Sequence, residues 1–389
     1  MTTKDKPIVI VGTGLAGYSL AKEFRKIDLN TPLYLITQDD GHFYSKPQLS
    51  TALQQAKTPE SLVVTDKNTM QAQLNAEIFT HSTVEAIDTA AQTLVVQTEN
   101  SRQEISYQSL ILAMGALPRP FPVLENIKHH YRVNSLQDYG FFIEKTAQFD
   151  DVAIIGSGLV GCEFANDFVE KFKQITVITP DPHPLYRLVP AQMGERLQTV
   201  LSSKGITWHT KSYLQAAKEE QGKVHLELSN GSIINVQGIL TAIGLQPNTL
   251  LAQKANLHIN QGIMVDQYLQ TNDPHIYALG DCAEIDGQCR QYVAPILQCA
   301  RALAQTLCHK PTPVIFPLMP ISLKVSSHPV IVHPPRIQEG KWSIEQNEGG
   351  VKALFHDTNG HLQGYALSGT QTEHRMECLK ILSSTPISV

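Results

Sequence analysis

Short apolar runs alternate with longer amphipathic stretches along this chain, the pattern of strands followed by helices. A strand is predicted over 6–11, ending Ile8-Val9-Ile10-Val11, and Leu20, Ala21, Phe24 and Ile27 recur at helical spacing over Leu15–Ile27. A second strand is expected at Leu33–Thr37, then a polar loop over 38–47 and helical material from 48 to about 75. Val84–Gln97 alternates as strands do, and Leu110-Ile111-Leu112-Ala113 is a buried strand stopped by Met114-Gly115. Pro118, Pro120 and Pro122 break the pattern and mark a linker.

The same order then recurs. Strand 152–155, helix 159–172 and strand Ile175–Thr179 precede a hairpin whose turn is Asn230-Gly231, and the repeat closes on Gly238–Gly244. Its ending, Ala242-Ile243-Gly244, echoes Ala113-Met114-Gly115, which indicates an internal duplication. Ile276-Tyr277-Ala278-Leu279 returns to the first unit and a helix is predicted over Val293–Leu307. From Pro311 onward, alternating segments (Ile321–Val325, Val330–Val332, Val351–Phe355) predict a small α+β domain. The expected division is 1–120 with 246–316, then 121–245, then 317–389.

Each repeat carries Gly-x-Gly-x-x-Gly directly after its first strand, Gly12-Thr13-Gly14-Leu15-Ala16-Gly17 and Gly156-Ser157-Gly158-Leu159-Val160-Gly161. In that setting the first glycine makes a tight turn, the second admits a pyrophosphate and the third packs helix on strand. The free N–H groups of the helix then face the negative charge. One such motif is weak evidence. Two imply two dinucleotides, and the reason to hold both is to pass electrons between them.

Composition narrows the class further. At 389 residues, 42% hydrophobic and 17% charged with a net charge of −5, the chain is a multi-domain globular protein without the basic face of a nucleic-acid binder. The opening Met1–Pro7 lacks a signal peptide's apolar core and no later run is long enough to span a bilayer, so a soluble cytoplasmic protein is expected. Cys162, Cys282, Cys289, Cys299, Cys308 and Cys378 form no C-x-x-C pair and show no zinc-ligand spacing. No metal is expected.

Taken with Ile276–Asp281, the two fingerprints resemble those of the FAD/NAD(P) reductases that bind two dinucleotides, over essentially the full chain. Tyr44-Ser45-Lys46-Pro47-Gln48-Leu49-Ser50, Asp281-Cys282-Ala283-Glu284 and Met319-Pro320-Ile321-Ser322-Leu323-Lys324 are similar to the rubredoxin–NAD reductases of alkane-oxidising bacteria and the related flavorubredoxin reductases. That resemblance implies an α/β fold of two Rossmann-like domains of the glutathione-reductase-like type, one for FAD and one for NAD, with a small α+β C-terminal domain. It implies non-covalent FAD, NADH as donor and rubredoxin as acceptor.

By resemblance, Gly12, Thr13, Gly14, Leu15 and Ala16 hold the FAD pyrophosphate, and Gly115 lines the same site. The usual ribose-binding Glu is missing from Thr37-Gln38-Asp39-Asp40, so Thr37 and Gln38 occupy its place. The Val84 backbone is expected at the adenine edge, where a plain strand residue is the alternative. Asp281 is expected to accept a ribityl hydroxyl, with a helix N-cap as the other role, and Val293 and Ala294 open a helix whose N–H groups meet the flavin. Lys46 is expected near flavin N5 with Glu163 paired to it, and Lys324 is expected to reach the flavin as well.

Gly156, Gly158, Leu159 and Val160 are expected to hold the nicotinamide nucleotide. Thr179-Pro180-Asp181 has no arginine immediately after it to grip a 2′-phosphate, which favours NADH, although Arg187 is near in sequence. His42, Phe43, Tyr44 and Ser45 stand where related oxidases carry a cysteine, and no cysteine precedes Arg132. A dithiol relay is therefore not expected, and electrons are expected to leave the flavin directly. Lys324, Arg336 and Lys341 are candidates to meet an acidic rubredoxin. The reading is an NADH:rubredoxin oxidoreductase feeding alkane hydroxylation, with flavorubredoxin or a ferredoxin as alternative acceptor and a monomer expected. A peroxide-forming NADH oxidase and a non-enzymatic NADH sensor also stay open.

Overall fold

The computed structural model describes residues 6–335 and 337–384; Met1–Asp5, Arg336 and 385–389 lie outside the described residues. The chain folds into two compact units, 1–46 with 60–117 and 245–317, and 47–59 with 118–244 and 318–389.

In the first unit five parallel strands run in the order Ile276–Ala278, Ser109–Leu112, Ile8–Val11, Leu33–Ile36 and Glu77–Phe79. Side chains alternate across a strand, so Ile8 and Ile10 pack with Leu20, Phe24, Leu303 and other helix residues. Val9 faces the other way, with Leu94, Val96 and Tyr107 of a three-stranded antiparallel sheet and its flank. Both faces are covered, which is why these strands read as continuous apolar runs.

The second unit repeats the plan. Its parallel order is His130–Tyr131, Gly238–Thr241, Asp151–Ile155, Gln174–Ile178 and Ile206–His209, backed by an antiparallel sheet of Leu214–Glu220, Lys223–Leu228 and Ile233–Val236. The predicted hairpin turn is present, with Gly231 at φ 81° and the Leu228 N–H on the Ser232 carbonyl.

A third sheet in this unit is antiparallel, ordered Ile321–Leu323, Val330–His333, Leu362–Ser368, Gly350–His356 and Lys341–Asn347, and is followed by the helix Arg375–Ser384. Leu323, Val330, Val332 and Ala366 share one core with Phe164, Met193 and Leu197 of the nucleotide-binding fold. The opposite face buries Tyr365 and Leu367 against Cys378 and Leu382.

Three stretches differ from the periodicity. The region 48–75 is not one helical run: a 3-10 helix Lys46–Thr51 and the helices Pro59–Leu62 and Lys67–Leu74 are split by the strand Val63–Thr65. That strand pairs antiparallel with Phe43–Tyr44. The helices Leu136–Lys145 and Ala191–Ser202 were not predicted. The first is capped by the Ser135 hydroxyl on the Asp138 N–H at 3.0 Å, a local signal that its internal Gly140 obscures.

Candidate active site

Both fingerprints turn where their glycines require. Gly12 has φ 114° and Gly156 φ 109°, a region that L side chains rarely adopt. A Cβ on Gly12 would run into the Ala113 carbonyl oxygen, and one on Gly156 into that of Ala242. The duplicated Ala-x-Gly stops are thus the walls against which the two turns pack. Gly14 and Gly158 differ: a Cβ there would meet nothing within 4 Å. Each stands as the N-cap of its helix, Leu15–Arg25 or Leu159–Phe168, with free N–H groups beyond it.

In the first unit Gly12, Thr13, Gly14, Leu15 and Ala16 form one such turn. An acid, Asp39, stands two residues past Thr37. Its Oδ1 accepts the Thr37 hydroxyl at 2.7 Å, the Gly41 N–H at 2.9 Å and the Thr13 hydroxyl at 3.3 Å. The spacing rule missed it because Thr37 holds the expected position and is 7% exposed. Gln38 Nε2 reaches the Thr83 hydroxyl at 3.3 Å, next to Val84 in the strand Thr83–Asp88. Gly115 lies at φ 66° with its carbonyl on the Asn248 N–H.

Gly280 (φ 80°) packs its backbone so closely on Ala16 that a Cβ would sit 2.8 Å from the alanine's own. That contact delivers Asp281 beside the first fingerprint helix. Asp281 Oδ1 is buried and has no hydrogen-bond partner among the described residues. Burial raises its carboxyl above the ordinary range, while Lys46 pulls it back. A buried carboxylate oxygen left unpaired costs free energy, so this one calls for a donor from outside the chain. Val293 is 39% exposed at the start of the helix Val293–Leu307, where N–H groups are unpaired within the helix.

In the second unit Gly156, Gly158, Leu159 and Val160 make the matching turn, with Val160 47% exposed. The Ser157 hydroxyl donates to Thr179 Oγ1 at 2.9 Å. Glu163 is 5% exposed and fully engaged within this unit. Its Oε2 accepts the Ser50 hydroxyl at 2.5 Å and the Lys324 ammonium at 3.3 Å, and its Oε1 accepts the Lys324 N–H at 3.0 Å. Lys46 belongs to the first unit, where its charge acts on Asp281.

One turn along the same helix, Asp167 accepts the Leu53 and Gln54 N–H groups at 3.1 and 2.8 Å, and burial pushes its carboxyl up to about 6. Asn166 takes Gln54 Nε2 at 2.9 Å on its carbonyl and the Ser327 hydroxyl at 3.4 Å on its side chain. Glu163, Asn166 and Asp167 thus bind residues 50–54 and 324–327 to the second fingerprint helix. The sequence reading missed Ser50, Asn166 and Asp167. Glu163, Asn166 and Asp167 share one face of the helix Leu159–Phe168, but nothing in their spacing names Ser50 or the 50–54 segment as the partner.

Open space at Gly14 and Gly158, free helix N-termini and the orphan Asp281 oxygen fit two dinucleotides. Among the described residues no group of three or more His, Cys, Asp or Glu side chains could hold a metal ion.

Residues 6–305 match the family described as Pyridine nucleotide-disulphide oxidoreductase, and residues 313–382 match the Rubredoxin binding C-terminal domain. The chain is 39% identical to a rubredoxin-NAD(+) reductase of Alcanivorax borkumensis, over 97% of this chain and 98% of the relative. It is 33% identical to a nitric oxide reductase FlRd-NAD(+) reductase of Aliivibrio fischeri, over 97% and 99%. The NADH:rubredoxin oxidoreductase structure from Clostridium acetobutylicum shares the fold at TM-score 0.81 and 20% identity, over 98% of this chain and 95% of that one. With two nucleotide turns, two repeated sheets and these matches, the chain belongs to the pyridine nucleotide-disulphide oxidoreductase family and ends in a rubredoxin-binding C-terminal domain.

Proposed function

We propose that this protein is an FAD-dependent NADH:rubredoxin oxidoreductase that passes electrons from NADH through FAD to rubredoxin. The observation that carries the reading is the union, in one chain, of two open dinucleotide turns with a rubredoxin-binding C-terminal segment. When bound, FAD supplies the conversion of a hydride into single electrons. The chain's own residues bind and orient. The N–H groups after Gly14 and Gly158 take the pyrophosphates, Asp281 accepts a ribityl hydroxyl and the Val293 helix start favours negative charge on the flavin.

Lys46 stands near flavin N5 in this reading, and within the second unit the Ser50 and Lys324 contacts fix the geometry of the Glu163 carboxylate. Thr37, Gln38 and Val84 line the adenosine half, with Asp39 behind them. The second turn prefers NADH, because no arginine directly follows Thr179-Pro180-Asp181. Lys324 and Lys341, both exposed, serve the acceptor. No helix among the described residues is long and apolar enough to cross a membrane. In this reading the protein is a cytoplasmic monomer serving an alkane hydroxylase.

A second reading keeps the mechanism and changes the acceptor to flavorubredoxin, and the 33% identity to the FlRd-NAD(+) reductase favours it. NADH oxidation by the flavin-loaded protein, with rubredoxin, flavorubredoxin, a plant-type ferredoxin and oxygen compared under matched conditions, decides between them. Rapid reduction of rubredoxin above the rest is expected. Fast flavin reduction with little electron flow to rubredoxin would overturn the assignment.

A further inference from the structure

The Val293–Leu307 helix buries Ile296, Cys299, Ala300 and Leu303 in the core of the first unit. Its neighbouring face lines a cleft of about 450 Å³, with Arg301 and Gln305 on one side. Lys26 and Ile27, at the end of the first fingerprint helix, and Ile315 in the following segment complete the wall. Arg301, Lys26 and Lys310 are exposed. The Lys310 backbone N–H donates to the carbonyl of Gln305, a lining residue, at 3.0 Å. Two cations, Arg301 and Lys26, line the cleft with one carboxylate, Glu23, bound to Lys26 at 2.7 Å, which leaves the Arg301 charge in excess. The excess is positive on a chain whose net charge is −5, so it runs against the molecule's own sign.

Between the cations lie apolar groups turned to solvent. Ile315 is 75% exposed and Ile27 44%. The next residue, Phe316, is held under the Arg290 guanidinium at 4.3 Å, so Ile315 stands on an anchored stretch. Apolar anchors ringed by arginine and lysine have the composition of a small, steered interface. Two further facts name the occupant. The segment matched as the rubredoxin-binding domain begins at residue 313, inside the cleft wall. Arg301 lies two turns, about 12 Å, from Val293 along the helix that opens toward the expected flavin site.

We propose that this cleft is a docking surface for the acidic iron–sulfur acceptor: Arg301 and Lys26 meet carboxylates at the rim and Ile315 fills the apolar centre. The inference rests on the acceptor reading above and adds Arg301, Lys26 and Ile315 to the candidates Lys324 and Lys341.

The test uses the flavin-loaded protein carrying Arg301→Glu or Ile315→Ser, with rubredoxin and menadione as parallel acceptors at two salt concentrations. Arg301→Glu is expected to lower kcat/KM for rubredoxin by about tenfold or more, chiefly through KM, and to flatten its salt dependence. KM for NADH and the rate with neutral menadione stay unchanged. Ile315→Ser is expected to weaken rubredoxin use at both salt concentrations. Rubredoxin kinetics within twofold of wild type in both variants would overturn the proposal, as would loss of a wild-type dimer in either, because the patch would then join two copies of this chain. A wild-type protein that reduces menadione but never rubredoxin fails the acceptor reading itself, and the docking proposal with it.

Discussion

At the scale of single residues, the glycines of each fingerprint do two different jobs. Gly12 and Gly156 are needed to fold, since a side chain there meets backbone. Gly14 and Gly158 sit at φ −68° and −74°, which any residue adopts, and face open space. The fold alone does not require them; a nucleotide lying in that space would. Gly158→Ala is therefore expected to leave Tm within about a degree of wild type while raising KM for NADH at least about tenfold, measured by thermal unfolding and steady-state kinetics side by side. A drop in stability without a change in KM would show that the space serves packing. Asp281 allows a separate check. If its orphan oxygen takes a flavin hydroxyl, Asp281→Ala loses about 1.5–3 kcal/mol of FAD binding, roughly 10- to 100-fold. The purified variant would then lose flavin absorbance on dilution, whereas full retention would remove Asp281 from the site.

At the scale of elements, the second fingerprint helix does more than begin at a nucleotide turn. Glu163, Asn166 and Asp167 hold the 50–54 segment and residues 324–327 through backbone N–H groups and hydroxyls. Asp167 is the titratable member. Burial raises its carboxyl to about 6, against the two backbone donors that lower it. The folded chain then binds that proton more tightly than the unfolded chain, whose carboxyl titrates near 3.9. Its contribution is fully present below about pH 4 and is lost as pH rises through about 6. Asp167→Asn is expected to remove that slope, so that the stability difference between wild type and variant changes by roughly 2 kcal/mol between pH 4 and 6.5 in urea unfolding. Parallel curves would assign the slope to other groups.

This helix also marks where reading the sequence stops. The fingerprint names its start, because glycine turn chemistry is local. Which residues of a buried helix reach back to a loop more than a hundred positions away depends on the fold, and no periodicity encodes it. Asp39 is the same kind of case. The rule looked for an acid at the strand end, and the chain satisfies Thr13 from two residues beyond through a turn that only the backbone path reveals.

For the whole molecule, the duplication was legible because apolar strands buried on both faces leave near-continuous runs, and because the two Ala-x-Gly stops wall the two turns. The helices Leu136–Lys145 and Ala191–Ser202 were not legible, since their apolar stripes are interrupted by Gly140 and Gly194. The cysteines also have to be judged over the whole chain. Cys162 and Cys282 are fully buried, and burial raises both thiols, that of Cys282 to about 12. Burial raises Cys299 to about 12 as well, and Cys289, Cys308 and Cys378 upward. Thiolate is the reactive form, so iodoacetamide at neutral pH is expected to leave NADH-to-rubredoxin turnover within about 20% of the untreated rate. Inactivation that NADH protects against would restore a thiol to the electron path.

The order of strands in the first sheet has a consequence for how the protein is made. Its edge strand, Ile276–Ala278, pairs with Ser109–Leu112, yet the ribosome delivers it only after every strand of the second parallel sheet, the last of which ends at Thr241. During synthesis the earlier-coded sheet therefore waits one strand short while the later-coded one already has all five. The nascent chain can complete that second sheet first, and Asp281, the expected flavin contact, emerges only after it.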